Sequence, residues 1–332
     1  MVVGIVANPA SGRDIRRLVA GASVVGNADK AGMVLRLLCG LHAAGVERAL
    51  MMPAGDGLTA GLERLLKAHA SPTPELEWLP QRLTGTALDT ERAVAAICDA
   101  GARALVVLGG DGTHRIVART CGELPICALS TGTNNVFPEL RETTVAGLAA
   151  GLVATGRAGP GALVREAALH IERDGAAPDL ALVDVAVSGE RFVGARALWR
   201  PGELRELVVT FADPGVVGLA SLAGLLRPLP RRGGRALHVR LAADAELALD
   251  VALAPGLITR VGVAGFRELA PGERVELEPG GSIALDGERE IELRDGVRAT
   301  VRLGDGPLRI DVDAVMAHAA RTGATRMQPD QV

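Results

Sequence analysis

The chain has 332 residues and a formal net charge of −3, from 36 Lys and Arg against 39 Asp and Glu. This length is enough for two domains of ordinary size. Hydrophobic residues make up 48 % of the chain, so it can bury a substantial core, whereas aromatic residues make up 2 % and Tyr is absent. Without excess positive charge or aromatic stacking surfaces, nucleic acid is not an expected partner.

Cysteine usage and the lengths of the apolar runs predict the cellular setting. No two of the four cysteines form a C-x-x-C pair, so we predict buried free thiols in a reducing cytosol. The apolar start Val2–Ala7 is too short for a signal peptide. No apolar run approaches the ~20 residues of a membrane span. We therefore expect a soluble, cytoplasmic protein that does not contact a membrane.

Strand-like and helix-like segments alternate through the first half of the chain. Strands are predicted at Val2–Ala7, Val46–Met52, Glu75–Leu79, Ala104–Leu108 and Pro125–Leu129. The spacing of apolar residues predicts helices over Ala28–Ala44, Leu58–His69 and Thr86–Ala100, and a further helix after Thr113. This alternation predicts an α/β N-terminal domain, with a parallel sheet and helices on both of its faces.

Short strands separated by Gly, Pro and Asp-Gly turns dominate after about residue 158. They are predicted at Leu163–Arg173, Asp179–Ser188, Leu204–Phe211, Ala236–Leu241, Leu247–Leu253, Leu257–Val263, Arg274–Leu277, Gly281–Leu285, Glu288–Leu293, Val297–Arg302 and Leu308–Val312. This pattern predicts an antiparallel, β-rich C-terminal domain. The glycine-rich segment Gly151–Gly161 is a natural boundary, so we predict domains over 1–155 and 156–320 and a tail over 321–332. Asp313–Ala320 is predicted as a final helix.

A glycine-rich segment, GGDGT, directly follows the buried strand that ends at Leu108. Glycines let the backbone approach a ligand, and N–H groups at a helix start favour an anion. Ligands of open α/β sheets bind just beyond the carboxyl ends of the strands. Asp111 is therefore a candidate general base or a group that holds a metal-bound phosphate, unless it only caps the helix. The candidates to cradle phosphate are Gly109, Gly110, Gly112 and Thr113.

Two more loops rich in hydroxyl and amide groups follow predicted strands at equivalent places. Either loop alone could be an ordinary turn, because Asn, Pro, Ser and Gly are common turn residues. Three polar loops at one sheet edge instead favour a nucleotide pocket lined by hydrogen-bond donors. The residues predicted to line it from these two loops are Asn8, Ser11, Gly12, Thr131, Gly132, Thr133, Asn134 and Asn135.

Several known signatures are absent from the sequence. It contains no Walker A loop, no G-x-G-x-x-G fingerprint, no H-E-x-x-H zinc motif and no G-x-S-x-G elbow. Two segments keep two interpretations each. The basic segment LRPLPRRGGR, from Leu226 to Arg235, is either a solvated loop or a phosphate-contacting one. The sequence Asp286-Gly287-Glu288 is either a hairpin turn or part of the site.

These motifs resemble a known superfamily. GGDGT is similar to the signature shared by NAD kinases, diacylglycerol and sphingoid-base kinases, and 6-phosphofructokinases. Asn8–Gly12 (NPASG) resembles the N-P-x-S-G opening of the lipid-kinase branch, and Leu285–Glu288 (LDGE) resembles its late D-G-E element. Thr131–Phe137 (TGTNNVF) is similar to the G-T-x-N loop. Over nearly the whole chain, the pattern resembles the ATP-NAD kinase-like group that includes acetoin catabolism protein X.

This resemblance implies an α/β N-terminal domain, a β-rich C-terminal domain and an active site in the cleft between them. ATP and Mg²⁺ are the implied cofactors, and Asp111 matches the residue that acts on the acceptor hydroxyl. In the second domain, Asp184, Asp286 and Glu288 are the implied contacts to metal or ribose. The implied partners are a nucleotide and a small-molecule substrate, and family analogy suggests a homo-oligomer such as a dimer.

The chain departs from these relatives at two positions. NAD kinases carry an Asn-Glu pair where this chain has Val183-Asp184, and lipid kinases follow GGDGT with x-Asn-Glu where it has His114-Arg115-Ile116. The resemblance as a whole still implies a kinase that phosphorylates a hydroxyl acceptor. We expect this acceptor to be NAD or a related nucleotide or small molecule, with a role in NADP biosynthesis. The alternatives are a lipid kinase and a non-catalytic nucleotide sensor on a kinase fold.

Overall fold

The computed structural model describes residues 1–11, 25–132, 135–189, 201–293 and 296–325. Within these ranges the strands form two sheets, which we call the large sheet, of nine strands, and the small sheet, of seven. Three of the predicted pocket residues, Gly12, Thr133 and Asn134, lie outside the described ranges.

The first half of the chain alternates strands with helices, as the sequence predicts. Its strands are β1 (Val2–Ala7), β2 (Arg48–Met51), β3 (Glu75–Trp78), β4 (Ala104–Gly109) and β5 (Ile126–Ser130). Its described helices are α1 (Asn27–Ala43), α2 (Leu58–Ala68), α3 (Ala87–Asp99), α4 (Asp111–Thr120) and α5 (Thr143–Ala154). Glycines let α1 and α5 pack closely, because a Cβ on Gly147 would lie 2.3 Å from the carbonyl oxygen of Leu37.

The second half is mostly antiparallel strand. Its strands are β6 (Leu163–Arg173), β7 (Asp179–Ala181), β8 (Asp184–Ser188), β9 (Leu204–Val209), β10 (Ala236–Leu241), β11 (Leu247–Ala254), β12 (Leu257–Leu269), β13 (Arg274–Glu276), β14 (Gly281–Leu285), β15 (Glu288–Leu293) and β16 (Ala299–Ile310). The helical elements here are a single 3₁₀ turn (Pro201–Glu203), α6 (Leu219–Leu226) and α7 (Val312–Thr322).

The order of strands in the large sheet is β3-β2-β1-β4-β5-β16-β6-β7, with β13 also paired to β16. From β3 to β5 the pairing is parallel, and β6 runs antiparallel to β16. The small sheet has the order β11-β12-β10-β9-β8-β14-β15 and is antiparallel in every pairing. The fold class, an α/β N-terminal domain with a parallel sheet plus a β-rich C-terminal domain, is confirmed.

Buried apolar side chains cover both faces of the large sheet. One cluster joins β1, β2 and β4 to α1, α2, α5 and α7, and another joins the opposite face to α3 and α4. A third cluster lies between the large and small sheets, where β6 and β16 face β8, β9 and β14. The two sheets are therefore held together by apolar packing between β6 and β16 on one side and β8, β9 and β14 on the other.

Two features of the second half differ from the sequence predictions. The strand predicted over Asp179–Ser188 is split into β7 and β8, which belong to different sheets. The strands predicted at Val297–Arg302 and Leu308–Val312 are one strand, β16, with an irregularity between Asp305 and Leu308. The domain boundary at 155/156 stays a prediction, and the large sheet continues across it through β6, β7, β13 and β16.

The cysteines of the chain are all free thiols. Cys121 and Cys127 are buried, and burial raises the pKa of each thiol to about 12. Cys39 and Cys98 are only half-buried, so the prediction of buried thiols is confirmed for two of the four. None of the helices in the described part of the chain is long and apolar enough to cross a membrane.

Candidate active site

Asp111 is the first residue of α4, and Gly110 occupies the N-cap position before it. The Asp111 side chain is buried, and its two carboxylate oxygens accept the N–H of Val136 at 3.1 and 3.0 Å. One of these oxygens also accepts the N–H of Phe137 at 2.8 Å. Because Val136 and Phe137 follow β5, the carboxylate links the loops at the ends of β4 and β5.

The three polar loops predicted from the sequence meet at the ends of β1, β4 and β5. Asn8 donates from Nδ2 to the Thr113 hydroxyl at 2.8 Å. The hydroxyls of Ser11 and Thr131 lie 2.9 Å apart, and the Thr131 N–H donates to the Gly109 carbonyl at 3.0 Å. The described residues of the predicted pocket are therefore neighbours in space, joined by their own hydrogen bonds.

Two glycines allow these loops to approach each other. A Cβ on Gly109 would lie 2.6 Å from Cβ of Thr113, and a Cβ on Gly132 would lie 2.7 Å from the side-chain amide of Asn135. Neither neighbour is the far end of a long side chain that could move aside. Asn135 in turn donates from Nδ2 to the Ser130 hydroxyl at 2.8 Å, which fixes its amide over the end of β5.

A lysine that the sequence analysis did not single out supports the first loop. Lys30, on α1, is buried, and its Nζ donates to the carbonyls of Ser11 at 3.0 Å, Asn8 at 3.1 Å and Pro9 at 3.4 Å. It also donates to the Asn27 side chain at 3.3 Å. Burial of an ammonium group is costly unless it is hydrogen-bonded, and these carbonyls meet that requirement. Lys30 therefore holds the loop after β1 in its shape.

In the second half of the chain, the carboxylates of Asp184 and Asp286 each accept hydrogen bonds from the backbone next to the other residue. The Asp286 carboxylate accepts the N–H groups of Val183 at 2.8 Å, Leu182 at 2.9 Å and Asp184 at 3.3 Å. Asp184 accepts the N–H of Gly287 at 3.1 Å. Asp286 and Gly287 have φ of 51° and 77° between β14 and β15, as in an Asp-Gly hairpin turn. The hairpin-turn interpretation is therefore confirmed, and the turn also contributes an acid to the cluster.

Arg115 is a buried cation among these acids. Its Nη1 lies 3.5 Å from Asp179 and its Nε lies 3.7 Å from Asp286. Burial and the neighbouring Asp184 raise the pKa of Asp286 well above its usual range, and Arg115 opposes this shift. Asp111 also raises the pKa of Asp286, so the acids of the two halves are close enough to interact. Arg115 stands where lipid kinases carry Asn in the pattern after GGDGT.

Glu288 brings the late LDGE segment to the start of α4. A Cβ on Gly112 would lie 3.7 Å from a carboxylate oxygen of Glu288, the first residue of β15. Asp111, Gly112, Asp286 and Glu288 therefore occupy one region between the large and small sheets.

His114 follows Thr113 on α4 but is completely buried. Its Nδ1 lies 2.8 Å from the Gly110 carbonyl oxygen, and its ring centroid lies 5.7 Å from that of Phe137. Burial lowers the pKa of His114 to about 4. The ring is therefore buried beside Phe137 as a neutral group, out of reach of solvent.

The basic segment LRPLPRRGGR contains two kinds of arginine. Arg227 and Arg235 form exposed ion pairs with Glu268, and Arg232 forms one with Asp311 at 2.9 Å. These three fit the solvated-loop interpretation. The fourth, Arg231, is partly buried and reaches the loop that holds Asp111.

The donor set fits Mg²⁺ that arrives with a nucleotide. Carboxylate oxygens, such as those of Asp184 and Glu288, are the hard ligands that Mg²⁺ prefers. In the described ranges, no three His, Cys, Asp or Glu side chains are grouped so that they could hold a metal ion by themselves. Mg²⁺ commonly uses one or two carboxylates together with substrate phosphates, which agrees with this arrangement.

Comparison with known proteins gives matches along nearly the whole chain. Residues 3–158 match the model of the ATP-NAD kinase N-terminal domain, and residues 167–306 match that of the acetoin catabolism protein X C-terminal domain. The chain is 48 % identical over 341 residues to acetoin catabolism protein X of Cupriavidus necator, with 99 % of this chain and 95 % of that protein covered.

A solved structure, a diacylglycerol kinase from Bacillus anthracis str. Sterne, has a TM-score of 0.42 and 14 % sequence identity to this chain. The structural match covers 95 % of this chain and 97 % of the kinase chain. The sequence matches are far stronger, and the first of them places 3–158 with a kinase-type domain. This protein belongs to the acetoin catabolism protein X family, whose C-terminal domain it carries behind an ATP-NAD kinase-like N-terminal domain.

Proposed function

We propose that this protein is an ATP- and Mg²⁺-dependent phosphotransferase that acts on a hydroxyl group, and that NAD is its acceptor. The observation that carries this proposal is the placement of Asp111. Its carboxylate, at the start of α4 and among glycines, is held by the backbone N–H groups of Val136 and Phe137 and lies close enough to Asp286 to raise the pKa of that acid.

Asp111 has the role of general base or of orienting group for the acceptor hydroxyl. An ionised carboxylate only accepts hydrogen bonds, and the N–H groups of Val136 and Phe137 suit that form. Since both donors belong to the backbone, they fix the direction of the carboxylate without a mobile side chain. A fixed carboxylate beside the reacting hydroxyl contributes to rate through positioning as well as proton transfer.

The phosphate chain has a set of backbone and small polar groups to bind it. N–H groups at the start of α4 favour an anion. Thr113, Ser11 and Thr131 are already ordered by hydrogen bonds, so little side-chain freedom would be lost on binding. Mg²⁺ would supply neutralisation of the phosphate charge, and Asp184 and Glu288 would be the carboxylates that hold it.

A non-catalytic nucleotide sensor is a second candidate, and one observation favours it. Val183 stands where NAD kinases carry the Asn of their Asn-Glu pair, and its side chain is buried in an apolar cluster. The side-chain amide at that position is therefore missing, which removes a polar contact to a substrate. Binding of ATP without its consumption would support the sensor.

The test is a coupled assay with purified protein, Mg²⁺ and NAD, in which NADP is detected by an NADP-specific dehydrogenase. Separate arms contain ATP or polyphosphate as the donor. We expect NADP formation by the wild type and a loss of about 100-fold or more in Asp111→Asn. Asp250→Asn is the matched control, since Asp250 is exposed on β11 in an ion pair with Arg260.

Stability has to be measured alongside activity. The side-chain amide that Asp111→Asn introduces would meet a backbone N–H with its own donor, which costs about 1–3 kcal/mol. Circular dichroism melting shows whether the variant is still folded. Full activity of folded Asp111→Asn removes Asp111 from the mechanism. A folded wild type that forms no NADP rules out NAD as acceptor, and ATP consumption is then measured with small hydroxylated compounds and diacylglycerol.

A further inference from the structure

Arg231 differs from the other arginines of its segment because it reaches from the second half of the chain to the loop after β5. Its Nη2 donates to the carbonyl of Val136 at 2.5 Å. The guanidinium lies over the ring of Phe211, 4.1 Å from the centroid, and 5.7 Å from the centroid of Phe137. These contacts fix both the plane and the direction of the cation.

The peptide unit between Val136 and Phe137 connects Arg231 to Asp111. Its carbonyl accepts from Arg231, and its N–H donates to the Asp111 carboxylate at 2.8 Å. In a trans peptide the C=O and N–H point in opposite directions within the peptide plane, so the cation and the carboxylate lie at opposite edges of one peptide unit, roughly 7 Å apart. A chain of hydrogen bonds of this kind polarises each member and strengthens the next bond.

The other charges near Arg231 already have partners. Glu166 accepts from Arg309 at 2.6 Å, and Glu139 is bound by Arg309 and Arg141. Among the residues that the structure describes, Arg231 forms no ion pair of its own. Burial lowers the pKa of the Arg231 guanidinium, while Glu166, Asp111 and Glu139 raise it and Arg309 lowers it. Burial of a cation without a direct counter-ion is costly, so its retention here calls for a role beyond packing.

We propose that Arg231 is a positioning residue for Asp111, which it orients through the Val136–Phe137 peptide. The proposal rests on the proposed function only in giving Asp111 a catalytic task. Since Arg231 belongs to the segment that follows α6, the second half of the chain contributes directly to the placement of the candidate base in the first half.

The experiment observes the Phe137 amide directly. The chain has four Phe residues, so selective ¹⁵N-Phe labelling of the full chain gives a simple amide spectrum, assigned by single Phe→Leu replacements. The Phe137 signal is followed against pH in the wild type, Arg231→Gln, Arg231→Lys and Arg232→Gln. Asp111→Asn identifies the part of the titration that comes from the Asp111 carboxylate.

Charged groups near Asp111 and Arg231 in the described ranges include Asp286, Glu288, Glu166, Glu139 and Arg309, and these are unchanged in the Arg231 and Arg232 variants. We expect the Phe137 amide proton in Arg231→Gln to move upfield, because its hydrogen bond weakens. The titration midpoint should rise on the order of half a pH unit. Arg231→Lys should restore most of both effects, since it keeps the cation. Arg232→Gln should match the wild type, because Arg232 only pairs with exposed Asp311.

The proposal is overturned if the Phe137 amide signal and its titration midpoint in folded Arg231→Gln equal those of the wild type. A role in packing alone would lower the melting temperature of Arg231→Gln without moving the midpoint, and this result also overturns it. If Arg231→Gln does not fold, Arg231→Lys takes its place, with a smaller upfield change expected and an unchanged signal counting against the proposal.

Kinetics separate this proposal from the proposed function. If phosphoryl transfer occurs, kcat of Arg231→Gln should fall about tenfold or more with KM for ATP nearly unchanged. Normal kcat together with an unchanged Phe137 amide refutes the positioning role and leaves the kinase intact. A changed Phe137 amide in a protein that transfers no phosphate supports the positioning role and counts against the kinase.

Discussion

Acidification offers a direct test of the environment of His114. The ordinary pKa of a His side chain is 6.5, and burial lowers the pKa of His114 to about 4 in the folded protein. Between these values the unfolded chain binds a proton that the folded protein does not. The stability that comes from keeping His114 neutral is therefore complete above about pH 6.5 and is lost as the pH falls towards 4. A difference of about 2.5 units corresponds to about 3 kcal/mol.

The assay is urea unfolding at a series of pH values for the wild type and His114→Asn. The Asn side chain keeps a donor near the Gly110 carbonyl but does not titrate. We expect the wild type to be the more stable at neutral pH, and its free energy of unfolding to fall towards pH 4 by about 3 kcal/mol more than that of the variant. Acid also protonates carboxylates whose pKa values are lowered in the folded protein, such as Glu139 and Asp311, and this lowers the free energy of unfolding equally in both proteins.

His42→Asn is the control, because His42 is exposed near the end of α1. The free energy of unfolding of His42→Asn should change with pH as that of the wild type does. If the curves of wild type and His114→Asn run parallel from neutral pH to pH 4, then His114 is not held neutral by burial and the reasoning is wrong.

Two further substitutions test the packing around the cleft. Gly109→Ala places a methyl group 2.6 Å from Cβ of Thr113 and should lower the free energy of unfolding in urea by about 1–3 kcal/mol. Gly55→Ala is the control and should change it little, because nothing lies within 4 Å of the added methyl group. Equal stabilities of the two variants would contradict the close approach of Gly109 and Thr113. Arg309→Met leaves Glu166 buried without its partner and should cost about 3–5 kcal/mol. Adding Glu166→Met should recover part of this loss, and strictly additive effects of the two changes would count against a direct pair.

Much of the candidate site could be predicted because it lies in loops that directly follow apolar strands. Asp111, Asn8 and Thr131 were found from their places after β4, β1 and β5, which adjacent parallel strands necessarily bring to one edge. Lys30 and Arg231 could not be found in this way. Each acts on a loop distant in sequence, and nothing in the neighbouring residues distinguishes Arg231 from Arg232.

The limits of the fold predictions have a similar physical origin. The helix α6 (LASLAGLL) was not predicted because its residues are apolar on almost every side, which gives no helical periodicity to detect. The helix α5 is likewise rich in Ala and Gly and mostly buried. At the split of Asp179–Ser188 into two sheets, the backbone of 182–184 donates to Asp286, a residue far along the chain that local sequence patterns cannot bring into account.

The place of β16 has a consequence for synthesis on the ribosome. This strand fills the position between β5 and β6, yet it is made after more than half of the chain that follows β5 has emerged. Apart from the short bridge between Leu129 and Glu139, none of the described strands made before β16 pairs with this edge of β5. At usual translation speeds the delay is on the order of ten seconds. The nascent chain therefore carries an open sheet edge of the kind that chaperones protect, until its last strand closes it.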